Sequence, residues 1–202
     1  MLPYNVVFFS IIFLVLFDNK IPFSIKKIFF FILFMLLVLF VGLRHEVGGD
    51  WFSYINYIED LTLRPYKFFD FKGDWGFNLL LYIFFESEYK IYIVNFICAL
   101  IFISSIFYLA IKQDKPILLI FIAAPYIINV IGMGYTRQSV AYAFLIFSIL
   151  AKKNNNNILF IFLIIIGSLF HKSLLPFIIL YFVDTKIRFK EILGFIILVI
   201  II

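Results

Sequence analysis

Cysteine is all but absent from this chain. Cys98 stands alone in 202 residues, so no disulfide can form within it and no thiolate zinc or iron–sulfur site can be built; the residue reads as a small packing group. Histidine is scarce too, with His45 and His171 the two representatives. They lie far apart, outside any His-Glu-x-x-His pattern and away from any carboxylate cluster at helical spacing, so neither a metal nor a cofactor is expected. Charged residues make up 14% of the chain. The basic ones are scattered through short loops rather than gathered on a face, which argues against nucleic acid as a partner despite a net charge of +5. There is no Gly-rich phosphate loop. No basic residue precedes the first apolar run and no small-residue cleavage site follows it, so Val6 to Phe17 reads as an uncleaved first helix.

What remains is apolar. Hydrophobic residues account for 65% of the chain, 30 of them Phe, and the mean hydropathy is +1.11. An ordinary soluble domain is roughly half apolar. The expectation is an all-α, polytopic transmembrane helix bundle forming a single membrane domain over residues 1–202. Apolar runs predict helices at Pro3 to Phe17, Ser24 to Leu43, Ile91 to Ile111, Pro116 to Ile131, Gln138 to Ala151, Ile158 to Phe170 and Ser173 to Val183, with another starting near Ile192. Pro125 and Asn129 in one helix and Pro176 in another predict kinks. The final apolar run after Glu191 is too short to span a bilayer core of about 30 Å, so the chain is expected to be the N-terminal part of a longer protein.

The run Gly76 to Phe85 is only half a span, and loop charge decides how it lies. If it does not cross, ten of the 17 basic residues fall in cytoplasmic loops (Lys20, Lys26, Lys27, Lys112, Lys115, Lys152, Lys153, Lys186, Arg188, Lys190); if it crosses, six do and eleven face outward. Cytoplasmic loops carry the excess of Lys and Arg. A re-entrant or interfacial half-helix after the first outer loop is therefore expected. On that topology Arg44 to Asp50, Arg137-Gln138 and His171-Lys172 all reach the outer face.

Ionisable groups at the edge of a hydrocarbon layer are costly and mark candidate sites. Gly48-Gly49 permits a tight turn that can bring the Asp50 carboxylate back toward the helix end, which singles out Arg44 and Asp50. Arg137 opens a helix, where a guanidinium and the helix N-terminus together can bind an anion such as a diphosphate; an arginine there otherwise opposes the macrodipole. Histidine is the side chain whose ordinary proton affinity suits a general base at neutral pH, which makes His171 a candidate for that role, against the plainer reading of an interfacial histidine. His45 and Glu46 read as headgroup anchors, Trp75 as a belt residue and Asp74 as a helix cap.

At these residues the sequence resembles the EpsG-like group of Wzy-type polysaccharide polymerases of bacterial O-antigen, capsule and exopolysaccharide assembly. The matching elements are Arg44 followed by Gly48-Gly49-Asp50-Trp51 and Tyr54; Asp74, Gly76 and Phe77; Arg137-Gln138 with Ala141; and Phe170, His171 and Ser173. Gly49 stands where Thr is usual and Asp74 where Glu is commoner. The resemblance implies a multi-pass protein of the bacterial cytoplasmic (inner) membrane with its active face outward. It moves a glycan from an undecaprenyl diphosphate carrier to another lipid-linked repeat unit. Its partners are then undecaprenyl diphosphate-linked oligosaccharides, membrane lipid and a chain-length regulator protein. His171 and Asp50 are the expected catalytic residues, Arg44, Arg137 and Lys172 the diphosphate ligands, and Tyr54, Asp74 and Gln138 their supports. Two rivals use similar residues: a lipid-linked oligosaccharide ligase or acyltransferase, and a non-enzymatic transporter or flippase subunit, which calls for charges nearer the bilayer midplane.

Overall fold

The computed structural model describes residues 2–17, 22–64 and 74–182. Every regular element among them is helical. Helices α1 (Leu2–Phe17), α2 (Phe23–Gly42), α3 (Trp51–Leu63), α4 (Trp75–Ile83), α5 (Lys90–Ala110), α6 (Pro116–Ala123), α7 (Thr136–Lys153) and α8 (Asn157–Ser168) are joined by a π-helical continuation of α6 (Ala124–Gly132) and followed by a 3₁₀ segment (Lys172–Phe182).

Two of these, Ser24–Gly42 and Lys90–Ala110, are long and apolar enough to cross a membrane. Helix α5 is the central post, packed against both α2 and α7. Its buried face carries Phe102, Ile103 and Ile106 against Leu37, Val38, Ile120 and Ile128 from α2, α6 and the π-helix. A second core joins α3, α4, α5 and α7 through Tyr54, Leu61, Phe77, Leu81, Cys98 and Val140. A third packs α8 and the 3₁₀ segment on α7 through Leu145, Phe160, Ile164 and Leu174. The outer surface is apolar as well: Phe9, Phe13, Leu16, Phe31, Ile32 and Ile122 are all exposed. Such a surface calls for hydrocarbon rather than water.

Most sequence-derived boundaries agree with the structure to within one or two residues, and three features differ. Trp51–Leu63 is a helix, not a connecting stretch. It is amphipathic, burying Trp51, Tyr54 and Leu61 while Phe52, Ser53, Asn56 and Glu59 are exposed. At Pro125, where a kink is expected, the α-helix widens into a π-helical turn, a form at which helices bend. Proline lacks the N–H for the ordinary α bond and crowds the carbonyl four residues back, and the π register from Ala124 to Gly132 relieves both. The segment Lys172–Phe182 is 3₁₀ rather than α, with Pro176 inside it. The expected helix near Ile192 lies outside the described residues.

Helix α4 has nine residues. At 1.5 Å per residue it reaches about 14 Å, less than half a hydrocarbon core. The Gly76 N–H donates to the Leu169 carbonyl at 2.8 Å, fastening the start of α4 to the end of α8. A Cβ on Gly76 would press on the Phe170 ring at 3.0 Å.

Candidate functional site

The end of α2, the start of α3, the start of α4, the start of α7 and the turn after α8 meet at one end of the bundle. The opposite end holds the Lys152 to Asn157 turn. All three polar motifs singled out in the sequence therefore share one end. Their side chains separate into an interior group and an open group.

Arg44 leads the interior group. Its side chain is 6% exposed. Nη1 donates to the Gly132 carbonyl at 2.9 Å and to the Val41 carbonyl at 3.3 Å, and Nη2 donates to the Thr136 hydroxyl. Thr136 in turn donates to Asn95 Oδ1 at 3.3 Å. The carbonyls come from the C-terminal ends of α2 and the π-helix, where unpaired C=O groups carry partial negative charge. Two helix ends thus replace the carboxylate that a buried cation usually requires. Burial pulls the guanidinium below its ordinary value, opposed by Tyr54 first and by Asp50 more weakly. Gly48 makes this closure possible. Its φ is +104°, and a Cβ would lie 2.1 Å from the Met133 carbonyl oxygen, so only glycine lets the loop pass the end of the π-helix. Gly49 has open space around it.

The open group is built on Arg137, at the second position of α7. Its Nη1 donates to Asp74 Oδ2 at 2.6 Å, and the two side chains are 37% and 13% exposed. Asp74 occupies the N-cap position of α4, yet its side chain caps nothing. The carboxylate is directed at the arginine instead. The guanidinium also lies over the rings of Tyr54, at 5.4 Å, and Phe77, at 6.0 Å, an attraction between a cation and an aromatic face. Tyr54 donates to Asp50 Oδ2 at 3.2 Å. Burial pushes the Tyr54 phenol above its usual range, and Arg137 beside it pulls it back. Below these, Tyr57 donates to Asn78 Oδ1 at 2.7 Å, tying α3 to α4.

One residue along α7, Gln138 is exposed and its Nε2 stands 3.4 Å from His171 Nε2. The other ring nitrogen, Nδ1, lies 2.7 Å from the Ser173 hydroxyl. Lys172 is exposed between them. Asp50, Tyr54, Asp74, Arg137, Gln138 and His171 are therefore linked through neighbours on α7, whereas the Arg44 donors face the protein interior. His45 stands apart: its Nδ1 is 2.6 Å from the Tyr92 hydroxyl and its ring stacks on that tyrosine. Among the described residues no group of three His, Cys, Asp or Glu is placed to hold a metal ion.

Sequence reading missed Asn95 and Thr136, the partners of the buried arginine. Asn95 could have been found, as a polar residue in an otherwise apolar span. Thr136 sits beside Arg137, and nothing local shows that it faces inward.

The chain matches the EpsG family over residues 27–202 and belongs to that family. No curated protein and no solved structure matches it.

Proposed function

We propose that the chain is a polysaccharide polymerase, a multi-pass protein of the bacterial cytoplasmic membrane working on its outer face. It transfers a glycan from an undecaprenyl diphosphate carrier to a lipid-linked repeat unit in O-antigen, capsule or exopolysaccharide synthesis. The observation that carries this reading is the open group itself. A cation anchored by Asp74 lies one residue from a side chain that touches His171, and Asp50 and Tyr54 stand close by, at the end of an apolar bundle.

The reaction needs positive charge on the leaving diphosphate and a base on the acceptor hydroxyl. Arg137 supplies the first. Asp74 and the Tyr54 and Phe77 rings hold its guanidinium while more than a third of the side chain is reachable, and fixed donors aimed at developing charge are worth more than mobile ones. Lys172 adds a second exposed cation on the His171 side. His171 and Asp50 are the groups able to take the acceptor proton. Arg44 acts from inside, fixing the ends of α2 and the π-helix against α7 so that Arg137 is presented at a constant angle. Membership in the EpsG family supports an exopolysaccharide-linked activity.

The test is the glycan ladder of a polymerase-deletion strain carrying this chain. Restoration of the ladder, and its loss with Arg137→Ala at equal protein abundance, is the expected result. Wild-type chain length with Arg137→Ala would remove the assignment. The gel also separates the rivals, because loss of a polymerase leaves single repeats on the acceptor, whereas loss of a ligase leaves none.

A further inference from the structure

His171 and Ser173 stand two residues apart where α8 gives way to the 3₁₀ segment, and two contacts fix the proton between them. The Ser173 hydroxyl oxygen is 2.7 Å from His171 Nδ1. The backbone N–H of Ser173 points at the same nitrogen from 3.3 Å. A backbone N–H can only donate, so Nδ1 presents its lone pair, and the rotatable hydroxyl proton of Ser173 is directed there as well. The neutral ring then carries its proton on Nε2. That atom faces the Gln138 side-chain amide at 3.4 Å, whose oxygen accepts it once the amide is turned toward the ring; amide orientation is assigned from such a network. The basic lone pair of His171 is thus covered by a serine. Of the two residues, Ser173 is exposed and His171 only half-exposed, so an incoming substrate meets the hydroxyl first.

We propose that Ser173 is a catalytic residue that relays the acceptor proton to His171. This rests on the polymerase reading above. As the acceptor oxygen forms its bond to the anomeric carbon, the bond from that carbon to the diphosphate oxygen breaks, and its electron pair leaves with the diphosphate. The acceptor proton passes to Ser173 Oγ, and the proton Ser173 held passes to Nδ1. The imidazolium keeps its Nε2–H on Gln138. It returns one proton to water or to the departing diphosphate, and no sugar becomes attached to serine.

The resting tautomer is read directly. The sequence holds two histidines, so His45→Asn leaves His171 as the sole one, and nitrogen NMR on histidine-labelled protein in lipid bilayers reports both ring nitrogens. Protonated Nε2 with bare Nδ1 is expected, the Nδ1 resonance moving when Ser173→Ala is added. A protonated Nδ1 in the neutral ring overturns the relay whatever the chain's activity. On the glycan ladder, Ser173→Ala should cost about 10² to 10⁴ in polymer formed, the usual worth of general-base help. Ser173→Thr, which keeps a hydroxyl, should restore most of it. His171→Ala combined with Ser173→Ala should cost little more than either alone, as for groups acting as a unit. A Ser173→Ala chain that polymerises like wild type while His171→Ala does not would show the imidazole acting alone. A wild-type chain that extends no repeat would remove the polymerase reading, and the relay with it.

Discussion

Arg44 and Arg137 stand at the same end of the bundle and are opposites in every physical respect. Arg44 is sealed inside, its two terminal nitrogens held by the carbonyls of two helix ends and by Thr136 while its Nε has no partner. Arg137 is reachable and satisfied by one carboxylate and two aromatic faces. A carbonyl-held arginine keeps its full positive charge but spends its terminal donors inside the protein, which suits a joint between helices. A carboxylate-held arginine keeps its direction while its exposed part can still meet an anion. The sequence pattern gives the two residues equal standing, and the difference lies in what surrounds each guanidinium.

Substitutions sharpen or break this contrast. The largest expected effect on polymer is from Arg137→Ala, about 10² or more in ladder intensity with the protein still present in the membrane fraction; loss of the protein itself would place Arg137 with the structural residues. Arg44→Met should act the other way, lowering abundance and thermal stability first. It leaves the Gly132 carbonyl and the Thr136 hydroxyl without their donor, at about 1–3 kcal/mol for each buried group left unpaired, measured as a melting shift in detergent. Gly48→Ala should cost about 1–3 kcal/mol from backbone strain alone, and more because the Met133 carbonyl oxygen, 2.1 Å from the added Cβ, has to move, whereas Gly49→Ala should leave the melting point unchanged within error. Thr136→Val, which keeps the shape and removes the hydroxyl, should cost about 1–3 kcal/mol, since the buried Arg44 Nη2 and Asn95 Oδ1 lose their partner. It should leave chain length as in wild type; a shortened ladder from Thr136→Val would mean that the buried group takes part in the chemistry after all.

Much of the helical layout was legible. The run predicted at Ile91 to Ile111 is α5, and that at Ser24 to Leu43 is α2, because long uniform apolar runs have one economical structure in lipid. Helix α3 was overlooked although Trp51, Tyr54, Ile58 and Leu61 recur at helical spacing, because Asn56, Glu59 and Asp60 between them made the stretch resemble a loop. Loop charges anticipated that Arg44, Arg137 and His171 would meet at one end. They could not reveal that Arg44 turns inward, since the direction of a side chain at a helix end depends on which carbonyls a distant segment brings near. Nor does composition mark Ser173 as a partner of His171; a spacing of two matters only once the 3₁₀ turn folds the hydroxyl back onto the ring.

The π-helical stretch from Ala124 to Gly132 has a consequence for how the chain tolerates changes in length. Removing one residue from α5 or α7 would swing every later side chain by about 100° around the axis, taking Val140 or Phe102 out of the core. A wide turn already carries more residues than the α pitch needs, so a deletion there can be taken up by narrowing the turn. Such a deletion would also move the Gly132 carbonyl relative to Arg44. Chain length is thus negotiable between Ala124 and Gly132, and the buried arginine sets how far.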